Sequence, residues 1–106
     1  VAFIVRNIFT DLSRSAENEE FLTLFENASA KIDRIVSHAH SSPPGFWYDQ
    51  EWDEWVMVLR GSATLEFENG ERVELQPGNY LIIDRHVKHR VAQTGHETIW
   101  LAVYVK

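Results

Sequence analysis

Asn69-Gly70 stands between two stretches whose apolar residues alternate: Ala63, Leu65 and Phe67 before it, Val73 and Leu75 after it. A two-residue hairpin turn requires positive φ at its centre, which Asn and Gly tolerate, so this dipeptide commits its flanks to antiparallel pairing. The same period of two runs outward in both directions. Upstream, Glu54, Val56, Val58 and Arg60 alternate with Trp55, Met57 and Leu59 as far as Gly61. Before them, Ile32, Arg34, Val36, His38 and His40 fall on one face, opposite Asp33, Ile35 and Ser37. Downstream, Pro77-Gly78 turns into Tyr80–Ile83, which reads as a buried strand. Val87, His89 and Val91 share the next face, and residues 98–105 close the chain. Short strands punctuated by Gly and Pro turns indicate an all-β antiparallel sandwich or small barrel.

The first thirty residues read differently. Val1 to Ile8 is an extended arm or leading strand. Ser13 and Ser15 are candidate helix caps, and Glu17, Glu19 and Glu20 suit the positive end of a helix dipole. Phe21, Leu22, Leu24 and Phe25 then recur at helical spacing, which predicts one short helix ending near Asn27. The expected organisation is a single domain over 1–106, with an arm and helix over 1–30 and a β-barrel over 31–106.

The 106 residues form one domain's worth of chain, and 44% hydrophobic with 25% charged residues is a globular composition. A net charge of −6 without a basic cluster argues against nucleic acid as a partner. No apolar run approaches membrane-spanning length, so no membrane partner is expected. There is no cysteine, which removes disulfides and thiolate chemistry and accords with a cytoplasmic location.

Residues 41–61 crowd Phe46, Trp47, Tyr48, Trp52 and Trp55 among Asp49, Gln50, Glu51, Asp53 and Glu54. A surface loop does not need so many rings, and a core does not carry so many acids. Part of this stretch is expected to line a pocket.

These residues also carry a family resemblance. Glu54, six residues and Gly61 resemble the end of the first cupin motif, G-x5-H-x-H-x3,4-E-x6-G. Leu75-Gln-Pro-Gly-Asn-Tyr-Leu-Ile-Ile-Asp-Arg-His-Val-Lys-His89 resembles the second motif, and the Asn69-Gly70 hairpin separates the two. The resemblance implies a jelly-roll (cupin) barrel with the short N-terminal helix as an elaboration. It also shows departures. The two histidine positions of the first motif hold Tyr48 and Gln50, and its opening glycine position holds Ser42. The P-x-G turn of the second is Asp84-Arg85-His86, and its closing asparagine position holds Gln93.

The resemblance implies a divalent metal (Fe, Mn, Ni or Zn) on Gln50, Glu54 and His89. Tyr48, Glu54 and His86 are the candidate catalytic groups, and His38, His40, Trp47 and Trp55 the candidate pocket residues. Glu54 has a second reading, an ion pair with Arg60, Arg85 or Arg90. The expected function is binding a small polar molecule and acting on it as a metal-dependent isomerase, lyase or dioxygenase. The alternative is a binding or sensing protein without metal or catalysis. A homodimer paired through edge strands near Trp100 and Tyr104 is the expected assembly.

Overall fold

A computed structural model describes residues 2–14 and 19–106. They form eight strands: β1 (Glu20–Glu26), β2 (Ala30–Ser37), β3 (Asp53–Arg60), β4 (Ala63–Phe67), β5 (Arg72–Leu75), β6 (Tyr80–Ile83), β7 (His89–Thr94) and β8 (Thr98–Val105). Two antiparallel sheets face each other, a five-stranded one in the order β1-β2-β8-β3-β6 and a three-stranded one in the order β5-β4-β7.

Alternation decides what lies between the sheets. In register, Val56 faces Ala102 and Val58 faces Trp100, while Ile35 faces Trp100 from the other side. These side chains meet Ala63, Leu65, Leu75, Ile83 and Val91 in one buried core. Burying apolar area at about 25 cal/mol per Å² is the main force holding the sheets together. Ile32, Arg34 and Val36 share the outer face of β2. Arg34 is buried there all the same, because its guanidinium donates to the Ile8, Thr10 and Asp11 carbonyls and to Glu20. Arg34 thus straps the N-terminal segment across the sheet.

Three expectations are corrected. There is no helix among the described residues, and the expected helical segment is instead strand β1 (Ser15 and Glu17 lie outside the described residues). The cause is a bulge between Thr23 and Phe25. The extra residue lets Leu22 (opposite Arg34) and Phe25 (opposite Ile32) share a face three residues apart, and this imitates a helical period. The sheet therefore begins at Glu20 and not at residue 31. Second, β6 is an edge strand and not a buried one, with Tyr80 and Ile82 exposed at 61% and 66%. Third, β8 lies mid-sheet with Trp100 at 3% exposure, so Trp100 and Tyr104 offer no edge for dimer pairing.

Gly61 closes the end of β3 with φ +86°, where a Cβ would stand 2.3 Å from the Glu97 carbonyl oxygen and 2.8 Å from the Thr98 Cα. Both atoms belong to backbone, so only glycine fits. Around it Gly95 N–H donates to Ser62, and the Thr98 hydroxyl donates to the Ser62 carbonyl.

Candidate functional site

Glu54 is the first inward residue of β3 and His89 the first residue of β7, so both stand at the barrel end opposite Gly61. Both are nearly buried, at 6% and 5% exposure. His89 Nδ1 lies 2.9 Å from the Val87 carbonyl, so Nδ1 carries the proton and the Nε2 lone pair faces inward. It points toward Glu54 Oε1, 3.8 Å away, and that oxygen has no hydrogen-bond partner. The spacing is too long for a direct hydrogen bond. A ligand atom set between the two would reach both.

Tyr48 is placed by main chain. Its N–H donates to the His89 carbonyl at 2.7 Å, and His89 N–H donates back at 3.1 Å. Its ring stacks on the His89 imidazole, 5.5 Å between centroids. Ser42 extends the same attachment: its N–H donates to the Val91 carbonyl, its hydroxyl accepts from Val91 N–H, and Arg90 donates to the Ser42 carbonyl. Gln50 is held by its carbonyl, which accepts from His86 N–H. Tyr48, Gln50, Glu54, His89, Trp100 and Tyr104 line a cavity of about 50 Å³, enough for a small polar group and not for a whole sugar. A shallower groove bearing Lys31, Asp33 and Trp52 shares Phe21, Gln50 and Tyr104 with it.

Burial pushes the Glu54 carboxyl up to about 7; the nearby Asp33 charge adds to the rise, and a hydrogen bond from the Gln50 side chain works against it. Burial lowers the His89 pKa, partly offset by the Val87 hydrogen bond, so the ring is neutral at pH 7. Burial, with Glu19 and Glu54 nearby, raises the Tyr48 phenol, which stays protonated. The arginines considered as Glu54 partners are engaged elsewhere: Arg60 with Glu97, Arg85 with Asp53, and Arg90 with Glu66. Glu54 has no cationic partner among the described residues.

The structure thus brings Tyr48, Gln50, Glu54 and His89 together. It places the other candidates apart. The His86 side chain is 63% exposed and bound to Asp49 outside the cavity, and its backbone is left-handed, with φ +64°. His38 bonds the Ser13 carbonyl, and His40 pairs with Glu19. Trp55 faces outward against Tyr80, and Trp47 does not line the cavity. Conversely, Glu19 and Tyr104 were not foreseen. Glu19 accepts from the buried Ser37 hydroxyl and lines the cavity; Tyr104 sits opposite Glu54 in the β3–β8 register. Only the strand register could have pointed to Tyr104.

Two facing antiparallel sheets with a polar cluster at one open end define a jelly-roll barrel. The cupin domain family matches residues 33–104, and the chain belongs to that family. A provisionally assigned mannose-6-phosphate isomerase from Ralstonia eutropha JMP134 is 43% identical, with a TM-score of 0.91 over 97% of this chain and 98% of that one. A cupin superfamily protein from Desulfitobacterium hafniense DCB-2 shares 15% identity at TM-score 0.75, covering 89% and 83%. An RmlC-like cupin from Methanocaldococcus jannaschii shares 17% at TM-score 0.70, covering 90% and 86%. The last two likenesses speak to the fold alone. No curated protein matches the chain in sequence.

The donor set does not fit the metal centre that the resemblance implies. Of the four motif positions only Glu54 and His89 hold strong metal ligands. No group of three His, Cys, Asp or Glu suited to a metal occurs among the described residues. The phenol at Tyr48 is made harder to ionise, and a neutral phenol is a poor ligand.

Proposed function

We propose that this cupin binds a small uncharged polyhydroxy molecule and moves a proton on it with Glu54 and His89, without a metal. The observation that carries this is the unpartnered Glu54 Oε1 facing the His89 Nε2 lone pair across 3.8 Å. A ligand hydroxyl between them can donate to one and accept from a proton on the other. A carboxyl with its pKa near 7 can take and return a proton at neutral pH, the requirement for general acid–base catalysis. Glu54 would take the proton of the carbon next to a carbonyl and deliver it to the former carbonyl carbon, while His89 Nε2 takes the proton of the adjacent hydroxyl and the former carbonyl oxygen receives it, as in aldose–ketose interconversion. The name of the 43% identical relative supports a sugar as the substrate class. The cavity argues against the phosphorylated form. Among the described residues no Lys or Arg lines it, and Lys31 in the outer groove is paired with Asp33. Trp52 and Tyr104 bring aromatic rings to that groove, each with a lysine over one face, Lys106 at 4.9 Å and Lys31 at 5.8 Å.

The test is exchange of substrate carbon-bound hydrogen for deuterium from heavy water, followed by proton NMR across neutral aldoses and ketoses. Expected are exchange by the wild type, a loss of on the order of 100-fold in Glu54→Gln, and metal far below one ion per chain by elemental analysis. Mannose should bind better than its 6-phosphate. Activity that a chelator removes and a divalent metal restores would sink the metal-free mechanism. Saturable binding without exchange would reduce the protein to a binding module.

A further inference from the structure

The two atoms that face each other across the cavity are both acceptors. Glu54 Oε1 has no hydrogen-bond partner, although the Gln50 side chain serves the same carboxyl. His89 commits its proton to the Val87 carbonyl, so its Nε2 presents a lone pair. A hydroxyl carries one proton and can satisfy only one of them unless Glu54 is itself protonated. A protonated primary amine carries three N–H donors and no acceptor. One such nitrogen between the two atoms, which lie 3.8 Å apart, serves both. Charge-assisted N–H bonds run about 2.8 Å, a reach that a bridging nitrogen meets on each side.

The charges have the matching sign. Glu54 and Glu19 both line the cavity, each with its side chain only 7% exposed. Glu19 is fixed there by the buried Ser37 hydroxyl, which donates to it. The nearby cations Lys31 and His40 are paired with Asp33 and Glu19, and neither lines the cavity. Size and donor set then select among cations. A volume of about 50 Å³ takes one ammonium group. A metal ion finds only two strong ligands at the motif positions, whereas an ammonium needs no more than two acceptors. Aromatic rings of Tyr48 and Trp100 in the wall favour an organic cation further.

We infer that this cavity receives a protonated primary amine, and that amino polyols occupy it in competition with the uncharged substrate. The ammonium enters between Glu54 and His89. The hydroxylated chain behind it leaves by the outer groove, which shares Phe21, Gln50 and Tyr104 with the cavity. Such binding uses the same pair of atoms as the proposed reaction but requires no transfer of a proton on carbon.

Sorbitol and 1-amino-1-deoxysorbitol differ in one group, a terminal hydroxyl against a terminal amine, and neither has a carbonyl to react. Titration calorimetry of the whole chain, with a chelator present, should show the amine binding tighter by on the order of 30-fold. Glu54→Gln keeps the side chain's shape and should remove most of that preference. Glu19→Gln can still accept from Ser37 and should reduce it several-fold, while Glu71→Gln, on the exposed hairpin, should leave it unchanged. N-acetylation of the probe removes its charge and should abolish the gain. Circular dichroism checks that each variant is folded. Equal affinity for the two probes overturns the inference, as does a preference that survives both Glu54→Gln and Glu19→Gln, or one that the chelator removes. Amine preference without any deuterium exchange on sugars would sink the proposed proton transfer and leave this ligand class standing.

Discussion

The two ends of the barrel use polar groups in opposite ways. At the Gly61 end every buried hydroxyl among the described residues has work within the fold: Thr98 donates to the Ser62 carbonyl, Thr94 donates to the His40 carbonyl, and Ser37 accepts from the Trp100 indole. At the other end Glu54 Oε1 is buried without a partner, and His89 Nε2 has its lone pair turned inward. A satisfied polar cluster fixes geometry, whereas an unsatisfied one holds binding capacity at a cost to stability. The contrast marks one end as closure and the other as site.

The comparison breaks most readily at Gly61. Gly61→Ala should cost about 3 kcal/mol or more, because the methyl meets backbone and the left-handed φ strains any other residue. A urea midpoint equal to wild type would show that the closed end yields easily.

Glu54→Gln sharpens the other half. The native carboxyl has its pKa near 7 against an ordinary 4.5, so the native state keeps a proton that the unfolded state releases between those values. Wild-type stability should therefore fall as pH rises from 4.5 to 7 and stay low above it, by up to about 3 kcal/mol. The glutamine variant lacks this slope and should be the more stable protein at pH 8. Urea curves from pH 4 to 9 measure it; parallel profiles would mean that the carboxyl is not strained by burial. Catalysis has the opposite dependence, since the base form gains above pH 7.

The smallest effect lies at His86, which holds φ +64° where the family's turn has glycine. His86→Gly should relieve about 1 kcal/mol of left-handed strain. Loss of the exposed Asp49 contact offsets only part of that gain. Thermal melts decide it, and a destabilised variant would give His86 a structural role at the site end.

Most of the barrel was legible because hairpin chemistry and period-two alternation are local signals. Val56, Val58, Leu65 and Val91 declare their inward face in the chain itself. Leu22 and Phe25 did not, because a bulge re-phases β1, and no local pattern distinguishes a bulged strand from a helical turn. Tyr80 and Ile82 are apolar and alternate correctly; that β6 is an edge depends on strand order. At the site, Glu54 was found by its spacing to Gly61 and His89 by the second motif. Glu19 and Tyr104 join them through pairings far apart in sequence. His38 and His40 lie past the end of β2 on either side of Ala39, whose φ is positive, so the face shared with Val36 does not carry them inward.

The reciprocal main-chain bonds between Tyr48 and His89 have a further consequence. They involve no side-chain atoms, so the location of position 48 relative to the imidazole is independent of which residue occupies it. A phenol or an imidazole would be presented from the same mount. Divergence at this position can therefore exchange one chemistry for another while the scaffold keeps its shape, and the pocket's reactivity is free to change faster than its architecture.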